Sequence, residues 1–432
     1  MEVTIERILP GGFGLAHAES KTLLVALAAP GDRVRVRVDR KKGNVCFASI
    51  VEIVEPAQAR VEPPCPYFGK CGGCDFQQLN YEAQSDAKLE IIKDCLHRIA
   101  KLERIPDFEI TPAPNQWRYR SRAQWQYNAE QKRLGYFETA SRRICDVVEC
   151  AVLAPELQRE LAVLRGRMAA GSLPDHARYF RLVSGDEGVA VSPSVQSPDV
   201  SERNVQIHRS ICGEIYSLNT ESFFQTNADL LPQLIEASIG HASGDAAVDL
   251  YCGVGLFTLP LARRFKHVIA VEENAAAANF AELNLANANL TNTRIENIDV
   301  AQWFETIFER GHREQQRHRF GSSNRHQGYE QSKKKIQSAA KAGVRQITAA
   351  GQLDLLLLDP PRVGAESRVI DGILQLLPKR ITYISCDPAT LARDLRKIMA
   401  GGYWLDSLAA FDMFPQTHHV ETIANLTAPE AR

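Results

Sequence analysis

No stretch of this chain approaches the roughly 18 consecutive apolar residues that a membrane-spanning helix needs. The opening Met1-Glu2-Val3-Thr4-Ile5-Glu6-Arg7 also lacks the apolar segment of a secretory signal. These two absences argue against a helical membrane protein and predict a cytoplasmic one. Net charge is nearly absent as well, at -1 from 51 Lys and Arg against 52 Asp and Glu, which excludes a uniformly basic or acidic chain. In a reducing compartment, the ten cysteines point to metal binding or catalysis rather than disulfides. The 432 residues exceed one ordinary domain and suit two or three, each able to bury a core.

The near-zero total conceals local unevenness. Arg33, Arg35, Arg37, Arg40, Lys41 and Lys42 outweigh Asp39 to give +5 over ten residues, and residues 311–350 carry a local +7. Clustered positive charge is what a polyanion-binding surface requires. The 311–350 stretch is rich in Gln, Arg, His, Ser and Gly with poor periodicity, and reads as a disordered insertion.

Three regions follow from the patterning. Residues 1–56 alternate, with Val34, Val36 and Val38 against Arg33, Arg35 and Arg37, and with turns at Gly11-Gly12, Pro30-Gly31 and Lys42-Gly43-Asn44. This predicts a small OB-like β-barrel of the size and charge of an RNA-binding module, or else a structural cap. Residues 57–218 form a central α+β domain opening on Cys65-Pro66-Tyr67-Phe68-Gly69-Lys70-Cys71-Gly72-Gly73-Cys74. Its glycines let the backbone wrap so that three thiolates converge on one centre. Cys150 is the best fourth ligand and Cys145 its rival; four cysteines suit zinc or an iron-sulfur cluster, and spacing does not choose. Between Trp117 and Tyr127, strand periodicity places Trp117, Tyr119, Trp125 and Tyr127 on one face and Arg118, Arg120, Arg122, Gln124 and Gln126 on the other. The second face suits RNA, or is an ordinary wet face.

Residues 219–432 alternate strand and helix, with strands at 246–250, 267–271, 353–358, 381–385 and 403–411 and helices at 257–264, 275–288 and 388–399. That pattern is a doubly wound, parallel α/β sheet of Rossmann-like type, with ligands at the carboxyl ends of its strands. The turn Asp249-Leu250-Tyr251-Cys252-Gly253-Val254-Gly255 lacks the third glycine of a dinucleotide fingerprint. Glu272, ending the next strand, suits ribose hydroxyls, and Asp299 suits an adenine amino group; in this order they favour adenosylmethionine over NAD.

Asp359-Pro360-Pro361-Arg362 ends one strand, and Cys386, in Ile384-Ser385-Cys386-Asp387-Pro388, ends another. Carbon 5 of uracil is a poor nucleophile until a thiolate adds at carbon 6, and a base must then take the carbon 5 proton. Cys386 is the candidate nucleophile and Glu421 the leading base, with His418 and His419 as runners-up.

Taken together, these motifs resemble the RNA uracil-5-methyltransferases, and most closely their iron-sulfur 23S rRNA branch with an N-terminal TRAM domain. The likeness covers nearly the whole chain, including Ser222-Phe223-Phe224-Gln225, Asp146 to Leu157 and His419 to Thr422. It implies S-adenosylmethionine at Gln225, Tyr251, Glu272, Asp299 and Asp359, a 4Fe-4S cluster on Cys65, Cys71, Cys74 and Cys150, nucleophilic Cys386 and basic Glu421. It implies a monomer acting on RNA, 23S rRNA or alternatively tRNA, with no DNA and no membrane. A non-catalytic RNA-binding or assembly factor is the alternative of another class, since Leu256 stands where the family commonly has a cofactor-touching asparagine.

Overall fold

The structure is a computed structural model that describes residues 1–18, 21–193, 206–317 and 352–429. Most of the expected 311–350 insertion therefore lies outside the described residues. Among those described, no helix is long and apolar enough to cross a membrane.

The N-terminal strands Glu2–Thr4, Arg7–Leu9, Phe13–Ala18, Lys21–Val25, Arg33–Lys42 and Val45–Glu55 make one six-stranded sheet that curls around Val3, Ile5, Leu23, Val25, Val34 and Val36. The alternation read from Arg33 onward holds: the valines are buried and the arginines exposed. The charge run is less available to RNA than the sequence implies. Arg33 lies opposite Glu55 and Arg35 opposite Glu52 in the ladder, and both arginines form ion pairs with these partners and with Glu2. Such cross-strand pairs form because directly opposed side chains lie within reach of each other. Only the tip, Arg40 to Lys42, keeps its charge clear of them.

The central region builds a five-stranded antiparallel sheet from Ile144–Asp146, Arg133–Phe137, Arg122–Asn128, Tyr179–Ser184 and Val189–Ser192, covered by the helix Pro155–Ala169. Trp125 and Tyr127 point into its core as expected. The expected strand from Trp117 to Tyr127 is cut short, because Arg118 adopts a positive φ of 59° and pairing begins only at Arg122. Arg122 is also not free for RNA: its guanidinium donates to the carbonyls of Ser222 at 2.6 Å and Thr220 at 3.2 Å.

The C-terminal sheet has eight strands. In spatial order they are Thr293–Asn297, Phe265–Glu272, Gly244–Leu250, Leu355–Leu358, Arg380–Ser385, Glu421–Thr427, Trp404–Phe411 and Ile110–Thr111. The first five are parallel, as their unbroken apolar runs require for strands covered on both faces. The sequence reading of an all-parallel sheet needs correction beyond that point, since Glu421–Thr427 enters antiparallel between its neighbours.

The last strand, Ile110–Thr111, comes from the region assigned to the central domain. So does the helix Tyr81–Arg98, capped by Asn80, whose Ile91, Ile92, Cys95 and Leu96 share one core with Leu391, Leu395 and Tyr383. Residues from Phe76 through Thr111 thus pack with the C-terminal sheet rather than with the central one. One ion pair locks this union: Lys88 Nζ donates to Asp412 Oδ1 at 2.5 Å, both side chains being 0% exposed, and also to the Phe414 carbonyl at 3.2 Å. Burial lowers the lysine's affinity for its proton, and the aspartate opposes that.

Removing one member of such a pair strands a buried charge, at a cost of roughly 3–5 kcal/mol, whereas an apolar pair of similar volume is often tolerated. Asp412→Asn is expected to lower the chemical-denaturation midpoint steeply, and Lys88→Met with Asp412→Leu to recover most of the loss. Equal stability of Asp412→Asn and the parent would show that the pair does not clamp the two segments.

Candidate active site

Cys386 follows the strand Arg380–Ser385 directly, and the helix Pro388–Ala400 starts two residues later. Asp387 caps that helix, accepting from the backbone N–H of Ala389 and Thr390 at 2.9 Å each, while Pro388 supplies a preset φ at the first turn. The thiol is therefore held in a tight strand-to-helix connection. The ladder ends at Ser385 and Thr422, so Cys386 and Glu421 are the next residues of the two segments at that end, and the Glu421 charge acts on the thiol. Sequence reasoning named both residues; the antiparallel insertion is what brings them together.

Asp359 ends the neighbouring parallel strand and receives a hydrogen bond from Gln225 Nε2 at 3.4 Å. Glu421 is 1% exposed, and among the described residues neither its Oε1 nor Gln225 Oε1 has a hydrogen-bond partner. Two buried acceptors left unsatisfied beside a thiol make a place built to receive a polar ligand. Burial pushes Asp359 up to about 7. It also holds Glu421 well above the usual carboxylate range, and the Asp359 charge adds to this while Arg362 opposes it. A carboxyl with raised proton affinity is the stronger base once ionised. Burial, followed by the charge of Glu421, pushes the Cys386 thiol up to about 12, with Arg362 pulling the other way.

The two histidines are committed elsewhere. His418 Nδ1 meets Asp75 Oδ2 at 2.5 Å, next to the thiol loop. His419 Nε2 accepts from Arg362 Nη1 at 3.2 Å, and burial, with His418 and Arg362 nearby, depresses its pKa to about 3, so it stays neutral. A neutral imidazole that anchors a guanidinium is a positioning group. The barrel reaches this corner too: at Gly12, φ +79°, a Cβ would lie 3.0 Å from Asp75 Oδ2 and 3.3 Å from His418 Cβ.

Tyr251, Glu272, Asp299 and Asp359 lie at the carboxyl ends of four adjacent strands, and Gln225 comes from the loop after residues 214–218. Tyr251 follows Gly244–Leu250 with a φ of 63°, and Gly253 adopts 57°. Glu272 ends Phe265–Glu272; its two oxygens accept from Gly253 N at 2.9 Å and Asn274 N at 2.8 Å, which fixes the carboxylate while leaving lone pairs for a ligand. Asp299 accepts from Gln302 N at 2.9 Å at the start of Val300–Arg317. Open space where a Gly253 Cβ would stand, within 4.0 Å of only the Phe223 carbonyl, and an acidic set at the strand ends fit an adenosine-bearing group. Leu256 is buried in the core, and its carbonyl accepts from the Tyr216 hydroxyl at 3.1 Å.

Cys65, Cys71, Cys74 and Cys150 line one small cavity together with Tyr67, Gln77, Arg120 and Tyr136. Cys145 does not line it and is buried in the central core. Among the described residues no three His, Cys, Asp or Glu side chains are drawn up in a closed metal-binding arrangement. The four thiols line a common space, and an all-cysteine donor set is one that a zinc ion or an iron-sulfur cluster takes. Burial pushes Cys71 up to about 11 and Cys74 up to about 12, with the Arg120 charge pulling Cys74 the other way.

Beside this cavity a cleft of about 810 Å³ runs between the central sheet and the catalytic corner, lined by Arg120, Arg122, Arg181, Arg362, Phe137, Phe223 and His419 among others. Phe223 is 63% exposed and Phe137 42%. With Arg122 spent on carbonyls, Arg181 and Arg362 beside bare aromatic rings supply the chemistry of a nucleic-acid groove. Sequence reasoning did not single out Arg181 or Phe137, which carry no motif. Lys88 was also missed; its signal was a lone lysine within the apolar helical stripe of Ala87, Ile91, Ile92 and Cys95.

Comparison with known proteins agrees with this geometry. Residues 199–320 and 344–428 match the family described as tRNA (Uracil-5-)-methyltransferase, and residues 1–58 match the TRAM domain of tRNA (uracil(54)-C(5))-methyltransferase. The 23S rRNA (uracil(1939)-C(5))-methyltransferase RlmD of Vibrio parahaemolyticus is 28% identical over 98% of this chain and 94% of its own. An uncharacterized RNA methyltransferase of Aquifex aeolicus is 27% identical over 99% and 98%. The solved tRNA (uracil-54, C5)-methyltransferase of Pyrococcus abyssi shares the fold, with a TM-score of 0.69 at 23% identity, over 99% of this chain and 100% of that one. The chain belongs to the RNA uracil-5-methyltransferases that carry a TRAM domain.

Proposed function

We propose that this protein methylates carbon 5 of a uridine in 23S rRNA, using S-adenosylmethionine, with Cys386 as nucleophile and Glu421 as base. The observation that carries the reading is that Cys386 and Glu421 lie at the same end of the antiparallel strand pair, close enough for the charges of Glu421 and Asp359 to act on the thiol, with Gln225 bonded to Asp359. Gln225, Tyr251, Glu272, Asp299 and Asp359 are the residues that would hold the cofactor, which supplies an electrophilic methyl group.

The chain's own groups do the rest. The uridine leaves its stack and enters from the cleft. The Cys386 thiolate adds to carbon 6, and the ring's electrons move to carbon 5, which becomes nucleophilic. Once carbon 5 bears both a proton and the methyl group, Glu421 takes the proton. The electron pair re-forms the double bond and the carbon–sulfur bond breaks. Arg362, held by neutral His419, favours the thiolate form of Cys386.

The ribosomal substrate is supported by the name of the Vibrio relative, which aligns end to end. A tRNA substrate is the second reading, favoured by the fold shared with the Pyrococcus enzyme and by the TRAM match. The reading as a non-catalytic binding factor rests on Leu256, whose burial leaves the acidic set at the strand ends intact. We assign a 4Fe-4S cluster to Cys65, Cys71, Cys74 and Cys150, where it would order the loop that leads to Asp75 and His418. The enzyme is placed, with its RNA, in the cytoplasm.

Glu421→Gln is expected to accumulate a covalent protein–RNA adduct that survives a denaturing gel, because addition and methylation proceed while proton removal stalls. Cys386→Ala is expected to form no adduct and to lose at least about a thousandfold in turnover. Adduct-free Glu421→Gln working at the parental rate would remove the proposed base.

With its thiol near 12, Cys386 in the free enzyme is protonated at neutral pH, and its thiolate fraction grows about tenfold per pH unit. Its alkylation rate, followed by peptide mass spectrometry, should climb through about pH 9 without levelling. Arg362→Gln should slow it further. A plateau near neutrality would contradict the assigned environment.

Anaerobically purified protein should carry about four irons per chain, lost in Cys150→Ser and kept in Cys145→Ser. Stoichiometric zinc in the parent would overturn the cluster assignment.

A further inference from the structure

Arg120 has a place that the reaction above does not use. Its main chain is pinned on both sides, the N–H donating to the Val152 carbonyl at 2.9 Å and the carbonyl accepting from Ala154 N at 3.0 Å. Its side chain lines two spaces at once, the cavity ringed by the four cysteines and the large cleft.

The cations around it are already matched. Lys70 and Arg143 meet Glu138, Arg165 meets Asp146, and Arg122 is spent on two carbonyls. The Arg120 guanidinium, among the described residues, has no hydrogen bond and no carboxylate within ion-pair distance. Leaving a partly buried guanidinium without a counter-ion is costly, and folds rarely do so without a partner to come.

The thiols supply that partner. Four deprotonated cysteines exceed the positive charge of a zinc ion, or of an oxidised four-iron core, by about two. A filled centre is therefore an anion buried behind Arg120.

We propose that Arg120 is the internal counter-cation of the four-cysteine centre, a positioning residue committed to that centre rather than to RNA phosphate. The proposal rests on the reading that the four cysteines hold metal, which the metal content of the parent protein tests by itself. Arg120 neutralises the excess thiolate charge, lowers the cost of keeping the ligands deprotonated, and slows release of the metal. Its opening on the cleft follows from its place in the wall between the two spaces.

The test compares full-length parent, Arg120→Lys and Arg120→Gln, each purified anaerobically and checked for native fold by circular dichroism. The readouts are the rate of metal release to excess bathophenanthroline disulfonate and the salt dependence of RNA binding. Loss of an outer partner of a metal centre typically costs 10–100-fold in affinity. Arg120→Gln is expected to release metal about tenfold faster, with Arg120→Lys within about twofold of the parent and the salt slope unchanged. Equal release rates in Arg120→Gln and parent would overturn the proposal. So would Arg120→Lys releasing as fast as Arg120→Gln, which would mean packing rather than charge. A salt slope smaller by about one in Arg120→Gln, with metal retained, would make Arg120 a phosphate contact instead.

Discussion

The insertion of Glu421–Thr427 antiparallel beside Arg380–Ser385 is the constraint on which the rest of the active site depends. A parallel strand in that slot would begin at the far end of the sheet and carry its first residue away from Cys386. Reversing it brings the start of the strand to the end of its neighbour, with Thr422 opposite Ser385, so a thiol and a carboxylate come to the same rim, where α/β sheets bind ligands. The same reversal delivers residues 412–419 to that rim, and those residues contribute His419 to Arg362 and His418 to Asp75.

Around this pair the fold concentrates acidic groups in a dry corner. Asp249 and Glu421 are buried and Asp359 is partly so, and burial raises the proton affinity of each. Few compensating cations enter, Arg362 being the one that opposes the shift of both Glu421 and Cys386. Such an environment suits a reaction in which a proton must be accepted near neutrality and a thiolate must form only when a substrate is present to receive it.

The parts legible in sequence were those in which local chemistry and strand periodicity coincide. Cys386 and Asp359 ended recognisable apolar strands, the glycine turn at 252–255 marked the next strand end, and Cys65, Cys71 and Cys74 declared themselves by spacing. What escaped depends on distant partners. Arg33 and Arg35 read as free charge because Glu55 and Glu52 lie on another strand. Arg122 read as a wet-face residue because its acceptors lie about a hundred positions on. Ile110–Thr111 is too short to announce itself as a strand, and its partner is three hundred residues away. The pattern of Trp117 to Tyr127 misled at its start because alternation says nothing about a backbone that turns at Arg118.

The union of Tyr81–Arg98 with the C-terminal sheet also constrains how the chain is made. Lys88 and Asp412 are 324 positions apart, so a ribosome adding roughly 5–20 residues per second takes on the order of 15–65 seconds to deliver the second after the first. For most of that interval the apolar stripe of Ile91, Ile92 and Leu96 lacks its C-terminal partners such as Leu391 and Leu395, with only early residues such as Ile8 and Phe76 to meet it, and the thiols of Cys65, Cys71 and Cys74 stand close by in sequence. The nascent polypeptide is therefore sticky and oxidisable at one spot for most of its synthesis, and a holding chaperone with access to that helix would shelter both hazards at once.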